Sequence, residues 1–380
     1  MCSCTRRKDF PGLPSASQVV IGTTVPGDVR IPAQSVPLWC SVSSPRMDMP
    51  LTVSVIGVGK IGRKHARILA EVPDVTLGPL VDVDADRAEA VASELGTRTG
   101  SLEDALRTAD CLFVCTPAGG HAPIALRSIE NGLHTFVEKP LANSRSKADQ
   151  LAAAAAESGG VHAVGHVLRF DPRYQAVRTR VSEAELGDVV AITKRRLVKR
   201  ARLRRTSDDS SVPLQLGVHD FDLVEWLTGL QIRSITARAA GGALSGEGYD
   251  VDEAVSLVAG LEGGATATLT LGFCLPEGHP DSLVSTVLVC TDGTATIDGG
   301  SGATYHWDTD GGTSPDTHLW PEVAGKPAGA LATQDREFIS AVRDGGPPPV
   351  SLEAGRRAVQ LATVAEDAIE NGGWVDVPPH

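Results

Sequence analysis

Strand and helix patterns alternate along the first half of the chain. From Leu51 the sequence reads LTVSVIGVGKIGRKHARILAEV, which is a short β-branched run, a glycine-rich turn and a segment with apolar residues at helical spacing. Further runs of both kinds follow, namely VTLGPLVDVD, ADRAEAVASELG, SLEDALRTA, CLFVCTP, APIALRSIENG and LHTFVEKP. Nearly continuous apolar strands between helices are typical of a parallel sheet that is covered on both faces. Residues 51–165 are therefore predicted to form an α/β domain.

Residues 166–330 follow a different pattern. Two pairs of strand-like runs, EAVSLVAGLEGGATATLTLGF and STVLVCTDGTATID, each contain a tight-turn signal, Glu262-Gly263-Gly264 in the first and Asp292-Gly293 in the second. Such signals favour β-hairpins, so this segment is predicted to be an α+β domain with a largely antiparallel open sheet. The stretch 301–327 has no clear period and is predicted to be a long loop. Residues 331–380 contain two helical runs that are expected to pack back on the body of the protein.

The first 50 residues differ from the rest of the chain. They are rich in Pro, Ser and Thr and show no period, so residues 1–50 are expected to be disordered or loosely attached. Thr5-Arg6-Arg7 resembles a twin-arginine signal, but the following residues include Pro11 and Pro14 where an unbroken apolar stretch is needed. Export is therefore not expected. Met47 and Met49 lie just before the first strong strand, so a start site placed too early explains the extension equally well.

Composition narrows the class of protein. No run approaches the roughly 20 apolar residues that span a bilayer, and the net charge of −12 disfavours nucleic acid as a partner. A basic run from Lys194 to Arg205 can bind a phosphate or a carboxylate, although we interpret it as the solvated face of a strand followed by a surface loop. The seven cysteines show no metal-ligand spacing, so reduced thiols, a cytoplasmic location and no metal site are expected.

The glycine-rich turn has the spacing of a dinucleotide-binding site. Gly57-Val58-Gly59-Lys60-Ile61-Gly62 is a G-x-G-x-x-G motif that follows a predicted strand and opens a predicted helix. In such a motif Gly57 permits the tight turn, Gly59 lets the backbone approach a pyrophosphate, and Gly62 allows close packing of the helix. The free N–H groups at the helix N-terminus then face the anion. The alternative is an ordinary glycine-rich βα turn.

An acidic residue at the end of the second strand indicates which cofactor binds. Asp82 lies twenty residues after Gly62, where a carboxylate accepts hydrogen bonds from a ribose 2′-hydroxyl and repels the additional phosphate of NADP. NAD is therefore favoured over NADP, although Arg87 nearby keeps NADP as an alternative. Thr116 and Pro117 follow the third strand and are expected at the carboxyl edge of the sheet, where ligands bind in open α/β sheets.

From about Leu51 to Val377 the chain resembles the glucose–fructose oxidoreductase/inositol dehydrogenase/MocA (Gfo/Idh/MocA) family. The resemblance rests on the glycine-rich turn and on a series of short motifs that follow it. The motifs are, in order, GVGKIG, VDVDADRA, VCTP, Val137-Glu138-Lys139-Pro140, GHVLRFDPRY and Leu216-Gly217-Val218-His219-Asp220-Phe221-Asp222. The resemblance implies an N-terminal Rossmann domain and a C-terminal α+β domain. It also implies that Lys139 lies beside the nicotinamide and contacts the reacting oxygen, that Glu138 belongs to the cofactor site, and that His219 is the general acid/base.

The chemistry of alcohol oxidation makes the same demand. A base must reach the hydroxyl while hydride leaves its carbon, and a neighbouring ammonium stabilises the developing alkoxide. Many dehydrogenases of the family carry an Asp four residues before this histidine, whereas this chain has Gln215. Asp222, three residues after His219, is a candidate substitute because the two positions can share a helix face. The alternative is that His219 is a hydrogen-bonded histidine at a helix start with no catalytic role.

Three further residues are candidates for the cleft. Arg169 and Tyr174, in the run RFDPRY, are expected near the domain junction, where they either contact substrate hydroxyls or pack. His121 follows the Thr116 turn and is a candidate for the cofactor pocket.

The expected function is an NAD-dependent oxidoreductase that acts on a secondary alcohol or ketone carbon of a sugar, sugar derivative or cyclitol. The alternatives are a dinucleotide-binding regulator without turnover, and redox-neutral NAD-dependent glycoside chemistry. By analogy with relatives, a homodimer or homotetramer is expected.

Overall fold

The computed structural model describes residues 49–205, 211–241, 252–279, 281–298, 306–308 and 311–379. The extension predicted over residues 1–50 lies almost entirely outside these ranges. Within them, no helix combines the length and the apolar character that are needed to cross a bilayer.

The first half of the chain forms a five-stranded sheet in which every pairing is parallel, with the order β2-β1-β3-β4-β5. Its strands are β1 (Leu51–Ile56), β2 (Val75–Leu77), β3 (Cys111–Val114), β4 (His134–Val137) and β5 (His162–Val164). The helices between and beside them are α1 (Lys60–Ala70), α2 (Ala85–Leu95), α3 (Leu102–Thr108), α4 (Ala118–Glu130) and α5 (Arg145–Glu157).

These elements follow the predicted pattern because the apolar strands are covered on both faces. All of β3 is buried, as are the last four residues of β1. Helix α2 ends where expected, at Gly96, which adopts φ 67° and closes the helix in the left-handed conformation. The second strand is shorter than predicted, because Gly78-Pro79 interrupts it and Leu80 and Val81 form only isolated bridges.

The second half of the chain forms a seven-stranded sheet with the order β11-β10-β6-β9-β8-β7-β16. All of its pairings are antiparallel except β6 with β9, which confirms the largely antiparallel prediction. Two hairpins in the stretch predicted to be a long loop, β12–β13 and β14–β15, correct that prediction. The strands are β6 (Val189–Lys199), β7 (Ile232–Ala240), β8 (Ala254–Leu261), β9 (Thr266–Leu275), β10 (Leu283–Cys290), β11 (Thr294–Asp298), β12 (His306–Asp308), β13 (Gly311–Thr313), β14 (Glu322–Val323), β15 (Lys326–Pro327) and β16 (Trp374–Asp376).

The remaining helices connect the two sheets. Helix α8 packs on α1, and α9 packs on α5, α7 and β7, so the last segment of the chain contacts both halves. Phe338 of α8 lies edge-on against the stacked rings of Phe113 and Phe136 beneath the first sheet. These helices are α6 (Pro172–Ser182), α7 (Val218–Thr228), α8 (Gly329–Asp344) and α9 (Leu352–Asn371).

Candidate active site

The glycine turn between β1 and α1 has the geometry of a pyrophosphate cradle. Gly57 has φ 86°, and a Cβ on it would lie 2.8 Å from the Cys115 carbonyl. A Cβ on Gly62 would lie 1.8 Å from the Gly57 oxygen, so α1 can approach the turn only at a glycine. A Cβ on Gly59, by contrast, would meet no described atom within 4 Å. The turn is therefore closed behind Gly57 and Gly62 and open at Gly59, where an anion can reach the N-terminus of α1.

Asp82 lies beside this turn, as predicted. One oxygen accepts the Val58 N–H at 2.8 Å, and the other accepts the Asp84 N–H and the Arg87 guanidinium, both at 3.0 Å. The carboxylate thus stabilises the turn and occupies the position expected for a ribose contact. Lys60 is exposed and Ile61 is half-buried, both in the first turn of α1.

His121 joins the turns that follow β3 and β4. Its Nε2 lies 2.7 Å from the Thr116 carbonyl oxygen and its Nδ1 lies 2.7 Å from that of Pro140. Burial lowers the pKa of His121. Pro117 provides the N-cap position of α4, next to Thr116. His121 therefore holds the backbone of these two turns together, and its place in the cofactor pocket stays a prediction.

One buried cluster was not identified from the sequence. It consists of Glu138, His65 and Asp335, and we call it the acid cluster. His65 Nδ1 lies 2.8 and 2.9 Å from the two Asp335 oxygens, and its Nε2 lies 3.1 Å from Glu138 Oε1. Burial alone would lower the pKa of His65, but the two carboxylates raise it to about 10. His65 is therefore an imidazolium at neutral pH.

The acid cluster holds the backbone of Lys139. Glu138 Oε2 accepts the Lys139 N–H at 3.1 Å, and the Lys139–Pro140 peptide is cis. The carboxylate of Glu138 contacts His65 through one oxygen and accepts the Lys139 N–H through the other, so Glu138 fixes the backbone at Lys139. Its predicted place in the cofactor site is thus an indirect one.

Lys139 itself extends toward the second half of the chain. Its Nζ donates to the Gln215 carbonyl oxygen at 3.3 Å. Burial is the largest cause that lowers the pKa of Lys139, to about 8, and Arg196 and Arg202 lower it further against the opposing effect of Glu138. The predicted residue Gln215 is buried and meets Lys139 through its backbone.

His219 follows a π-helical turn, Pro213–Gly217, that leads into α7. Such turns widen the helical repeat and often occur at functional sites. Burial, followed by the charges of Lys139 and Arg196, lowers the pKa of His219 well below its usual value, so its imidazole is neutral at pH 7. Its Nδ1 is enclosed and has no hydrogen-bond partner among the described residues, whereas Nε2 is not one of the enclosed nitrogens that lack a partner. The imidazole therefore presents Nε2 as its accessible atom.

Asp222 does not take the place of the carboxylate that is missing at position 215. Its oxygens accept from Arg169 Nε at 3.0 Å and Nη2 at 2.6 Å, and His166 Nε2 lies 3.9 Å away. Side chains three apart share a helix face only if their rotamers converge, and here the guanidinium draws Asp222 away from His219. The prediction that Asp222 partners His219 is thus wrong. Arg169 forms this ion pair and borders a surface cavity with Asp222.

Tyr174 belongs to a second buried network and is not a substrate contact. It is 1% exposed, and its hydroxyl lies 3.0 Å from Thr286 Oγ1 and 3.2 Å from Lys194 Nζ. Lys194 Nζ also pairs with Asp220 at 3.1 Å, and Arg196 binds both Asp220 oxygens at 2.7 and 2.9 Å. The interpretation of the basic run as a solvated strand face is therefore wrong for Lys194 and Arg196. These two side chains lie on the inner face of β6, because α7 delivers Asp220 to that face.

Two family models match the chain. The model described as "Oxidoreductase family, NAD-binding Rossmann fold" matches residues 51–166, and the GFO/IDH/MocA C-terminal domain matches residues 174–296. The chain belongs to the Gfo/Idh/MocA family. Both predicted halves of this Gfo/Idh/MocA protein, the Rossmann fold and the α+β fold with its open sheet, are thereby confirmed.

Relatives and solved structures agree with this membership. The scyllo-inositol 2-dehydrogenase (NAD(+)) of Bacillus subtilis (strain 168) is 25% identical over 86% of this chain and 96% of its own. The UDP-N-acetylglucosamine 3-dehydrogenase of Acidithiobacillus ferrooxidans is 29% identical over 84% and 97%. The structure of GenD2 from gentamicin A biosynthesis, in complex with NAD, has a TM-score of 0.75 at 26% identity and covers 88% of this chain and 98% of its own.

The site of this Gfo/Idh/MocA protein thus combines predicted and unpredicted residues. The predicted Lys139 contacts the backbone of Gln215, four residues before the predicted His219, and its charge lowers the pKa of that histidine. Tyr174 and Asp222 lie in other networks. Sequence analysis missed His65, although it lies one turn after Gly62 on a helix face that must pack inward. It also missed Asp335, for which the sequence offers no comparable signal.

Proposed function

We propose that this protein is an NAD(H)-dependent oxidoreductase that transfers a hydride between the nicotinamide and a secondary alcohol or ketone carbon of a sugar, sugar derivative or cyclitol. The observation that carries the proposal is that Lys139, from the first half of the chain, donates to the backbone of the segment that leads into His219, and that its charge lowers the pKa of this histidine. The dehydrogenase names of the relatives agree with it.

The nucleotide end of the site fits NAD. The open face at Gly59 and the N-terminus of α1 would hold the pyrophosphate, and Asp82 would accept from the ribose hydroxyls. NAD, when bound, supplies the acceptor for the substrate hydride.

The residues of this chain handle the proton and the developing charge. Lys139, with a pKa of about 8, is largely an ammonium at neutral pH and would donate a hydrogen bond to the reacting oxygen. His219 is neutral, so its accessible Nε2 can accept the hydroxyl proton. In the reverse direction the same atom returns the proton to the alkoxide.

Turnover tests this proposal directly. The purified protein is incubated with NAD and with myo-inositol, scyllo-inositol and common aldoses, and the absorbance of reduced nicotinamide is followed. We expect turnover of at least one of these compounds and a loss of about 10²–10³-fold in kcat for Lys139→Met, with NADH binding retained. Binding of NADH without turnover of any polyol, sugar or keto-sugar would favour a regulator instead.

Cofactor choice is tested at Asp82. We expect Asp82→Ser to weaken NAD binding by about tenfold and to narrow the preference for NAD over NADP, because the repelling carboxylate is gone and Arg87 remains. Fluorescence titration with NADH and NADPH measures both effects. The proposed ribose contact is rejected if both affinities fall equally.

We also propose an organisation for the chain around this chemistry. Residues 51–165 would bind the nucleotide, residues 166–330 would bind substrate and mediate self-association, and residues 331–380 would close the body. Self-association is supported by a row of exposed side chains that crosses four neighbouring strands of the second sheet. The row contains, in order, Val287, Thr193, Thr268 and Val258. Sedimentation of Val287→Asp tests for loss of a homodimer or homotetramer.

A cytoplasmic location is proposed as well. It is supported by the free thiols of Cys111, Cys115, Cys274 and Cys290 among the described residues. Fractionation of the producing cells tests it.

A further inference from the structure

The inner face of β6 carries more positive than negative charge. Lys194 and Arg196, whose side chains are 0% and 11% exposed, both pair with a single carboxylate, that of Asp220, which is 0% exposed. Within the described residues, no other carboxylate lies within ion-pairing distance of either cation. Buried charges are normally matched because an unmatched one loses its hydration. One positive charge in this group therefore has no counter-charge of its own.

The neighbouring charged groups do not supply that counter-charge. The carboxylates of Glu138 and Asp335 are engaged by the imidazolium of His65, and the Glu138 carboxylate also accepts the N–H of Lys139. The carboxylate of Asp222 forms a bidentate pair with a different arginine. The surplus positive charge is therefore shared by Lys194 and Arg196, and of these two side chains only that of Arg196 retains exposure.

Arg196 has a nitrogen available for a ligand. It donates to Asp220 through Nε and Nη2, which leaves Nη1 without a hydrogen-bond partner among the described residues. Nη1 is not among the enclosed unpartnered nitrogens, and the side chain retains some exposure. The guanidinium is close enough to act on the charge states of both Lys139 and His219. It therefore lies within electrostatic range of the two residues proposed to contact the reacting hydroxyl.

We propose that the substrate carries an anionic substituent, a carboxylate or a phosphate ester, which Arg196 binds through Nη1 while the reacting hydroxyl lies between Lys139 and His219. This inference rests on the proposed function and specifies its substrate class. A guanidinium held in place by a buried carboxylate is preorganised to bind such oxyanions. The basic run from Lys194 to Arg205 would thus bind the anion through Arg196, one of its two side chains on the inner face of the sheet.

An anionic ligand also improves the chemistry. Burial, Lys139 and Arg196 together hold the pKa of His219 far below neutrality, which makes the imidazole a weak base in the free protein. A bound carboxylate or phosphate next to Arg196 would offset part of that positive charge and raise the pKa of His219. Proton abstraction would therefore be favoured when the correct substrate is present.

The test compares matched charged and neutral sugars. kcat/KM with NAD is measured for D-glucuronate, D-glucose 6-phosphate and D-glucose, with myo-inositol as a further neutral compound. We expect the wild type to prefer one of the two anions over D-glucose by at least about tenfold, and the identity of the better anion distinguishes a carboxylate from a phosphate site. In Arg196→Gln the charged-to-neutral ratio should fall by about 10- to 100-fold, the effect of losing one charge-assisted hydrogen bond.

Arg195 provides the matched control. It lies on the exposed face of the same strand, so Arg195→Gln makes the same chemical change without facing the site and should leave the ratio unchanged. Arg196→Gln leaves Lys194 and Asp220 as a balanced pair, which favours folding. If that variant nonetheless fails to fold, Arg196→Lys can be measured instead, because it retains the charge and should keep the preference for the anion. The charged-to-neutral kcat/KM ratio of the wild type also tests the inference by itself.

Calorimetric binding of D-glucuronate and D-glucose 6-phosphate to the protein with NADH separates this inference from the proposed function. Turnover of neutral polyols at a charged-to-neutral ratio near one overturns the inference and leaves the function standing. Anion binding that depends on Arg196, without turnover of any compound, supports the inference and removes the proposed function. Absence of both binding and turnover removes both.

Discussion

Two histidines, one affected by Glu138 and the other by Lys139, have opposite charge states. His65 lies between the carboxylates of Glu138 and Asp335, which raise its pKa to about 10. His219 is half-buried, but its neighbours are cations, and the loss of hydration together with those cations lowers its pKa well below the usual value. Burial favours the neutral form in both cases, so the sign of the neighbouring charges determines the outcome.

The difference teaches how one dipeptide serves two purposes. The Glu138 side chain contacts His65 within the acid cluster. The Lys139 side chain extends instead toward the Gln215 carbonyl, and its pKa is lowered to about 8. A charged, fully paired histidine stabilises the fold and holds the backbone. A neutral histidine with an accessible Nε2 can accept a proton at that atom.

The sharpest test of this contrast is the loss of the neutral histidine. We expect His219→Gln to lower kcat by about 10²–10⁴-fold, because general acid/base catalysis is removed. Its stability should change by less than about 1 kcal/mol, because Nδ1 makes no hydrogen bond that could be lost. Steady-state kinetics and urea unfolding measure the two quantities.

His162→Gln is the control for that substitution, because His162 is another neutral histidine, in β5, whose pKa burial lowers to about 4. The control should retain activity. Equal activity losses in the two variants would remove the catalytic role of His219.

Loss of the charged histidine should act on stability. His65→Leu leaves the buried carboxylates of Glu138 and Asp335 without their cation, so we expect a loss of about 3–5 kcal/mol in the free energy of unfolding. Urea unfolding measures it, and His65→Leu combined with Asp335→Leu should recover part of the loss. A cost below about 1 kcal/mol would show that the cluster is not an ion pair.

The two histidines should also produce opposite dependences of stability on pH. The pKa of His65 is raised on folding from the ordinary 6.5 to about 10, so its contribution is complete below pH 6.5 and is lost as pH rises toward 10. The pKa of His219 is lowered on folding, so its contribution is present above pH 6.5 and is lost as pH falls. Each slope is at most about 1.4 kcal/mol per pH unit.

Unfolding free energies measured across pH separate the two effects. His65→Gln should remove the alkaline decline, and His219→Gln should reduce the acid decline. Identical pH profiles for both variants would contradict the assigned charge states.

The smallest expected effect concerns the pH dependence of activity. Lys139 must be an ammonium to stabilise the alkoxide, so kcat/KM should fall above pH 8, near its pKa. Arg202 contributes to the lowering of that pKa, so Arg202→Gln should move the alkaline limb upward by a few tenths of a pH unit, whereas Arg195→Gln should not move it. A downward shift, or equal shifts in both variants, would show that another group sets this limb.

Local sequence patterns predicted much of the structure around the glycine turn. The glycine turn, Asp82 and the end of α2 at Gly96 were all predictable, because each depends on residues close together in the chain. The hairpins at Gly263 and Gly293 were predictable for the same reason. The interruption of β2 at Gly78-Pro79 was also encoded locally but was not anticipated.

The part of the site around Lys139 and His219 depends on contacts between segments that are distant in the chain. The resemblance to the family located Lys139 and His219, but no local signal showed that Asp335 would charge His65 or that Arg169 would engage Asp222. Periodicity also failed along β6, where a strongly basic run reads as exposed although Lys194 is fully buried. Only the placement of Asp220 by α7 makes that burial possible.

The sequence by itself determined the two folds and the glycine turn, since hydrophobic period and glycine geometry operate within a few residues, and the resemblance to the family pointed to Lys139 and His219. The tertiary structure decided which groups carry charge. A pKa depends on burial and on every charge within several ångströms, whatever its position along the chain. The same side-chain type is therefore a paired cation at His65 and a neutral imidazole at His219.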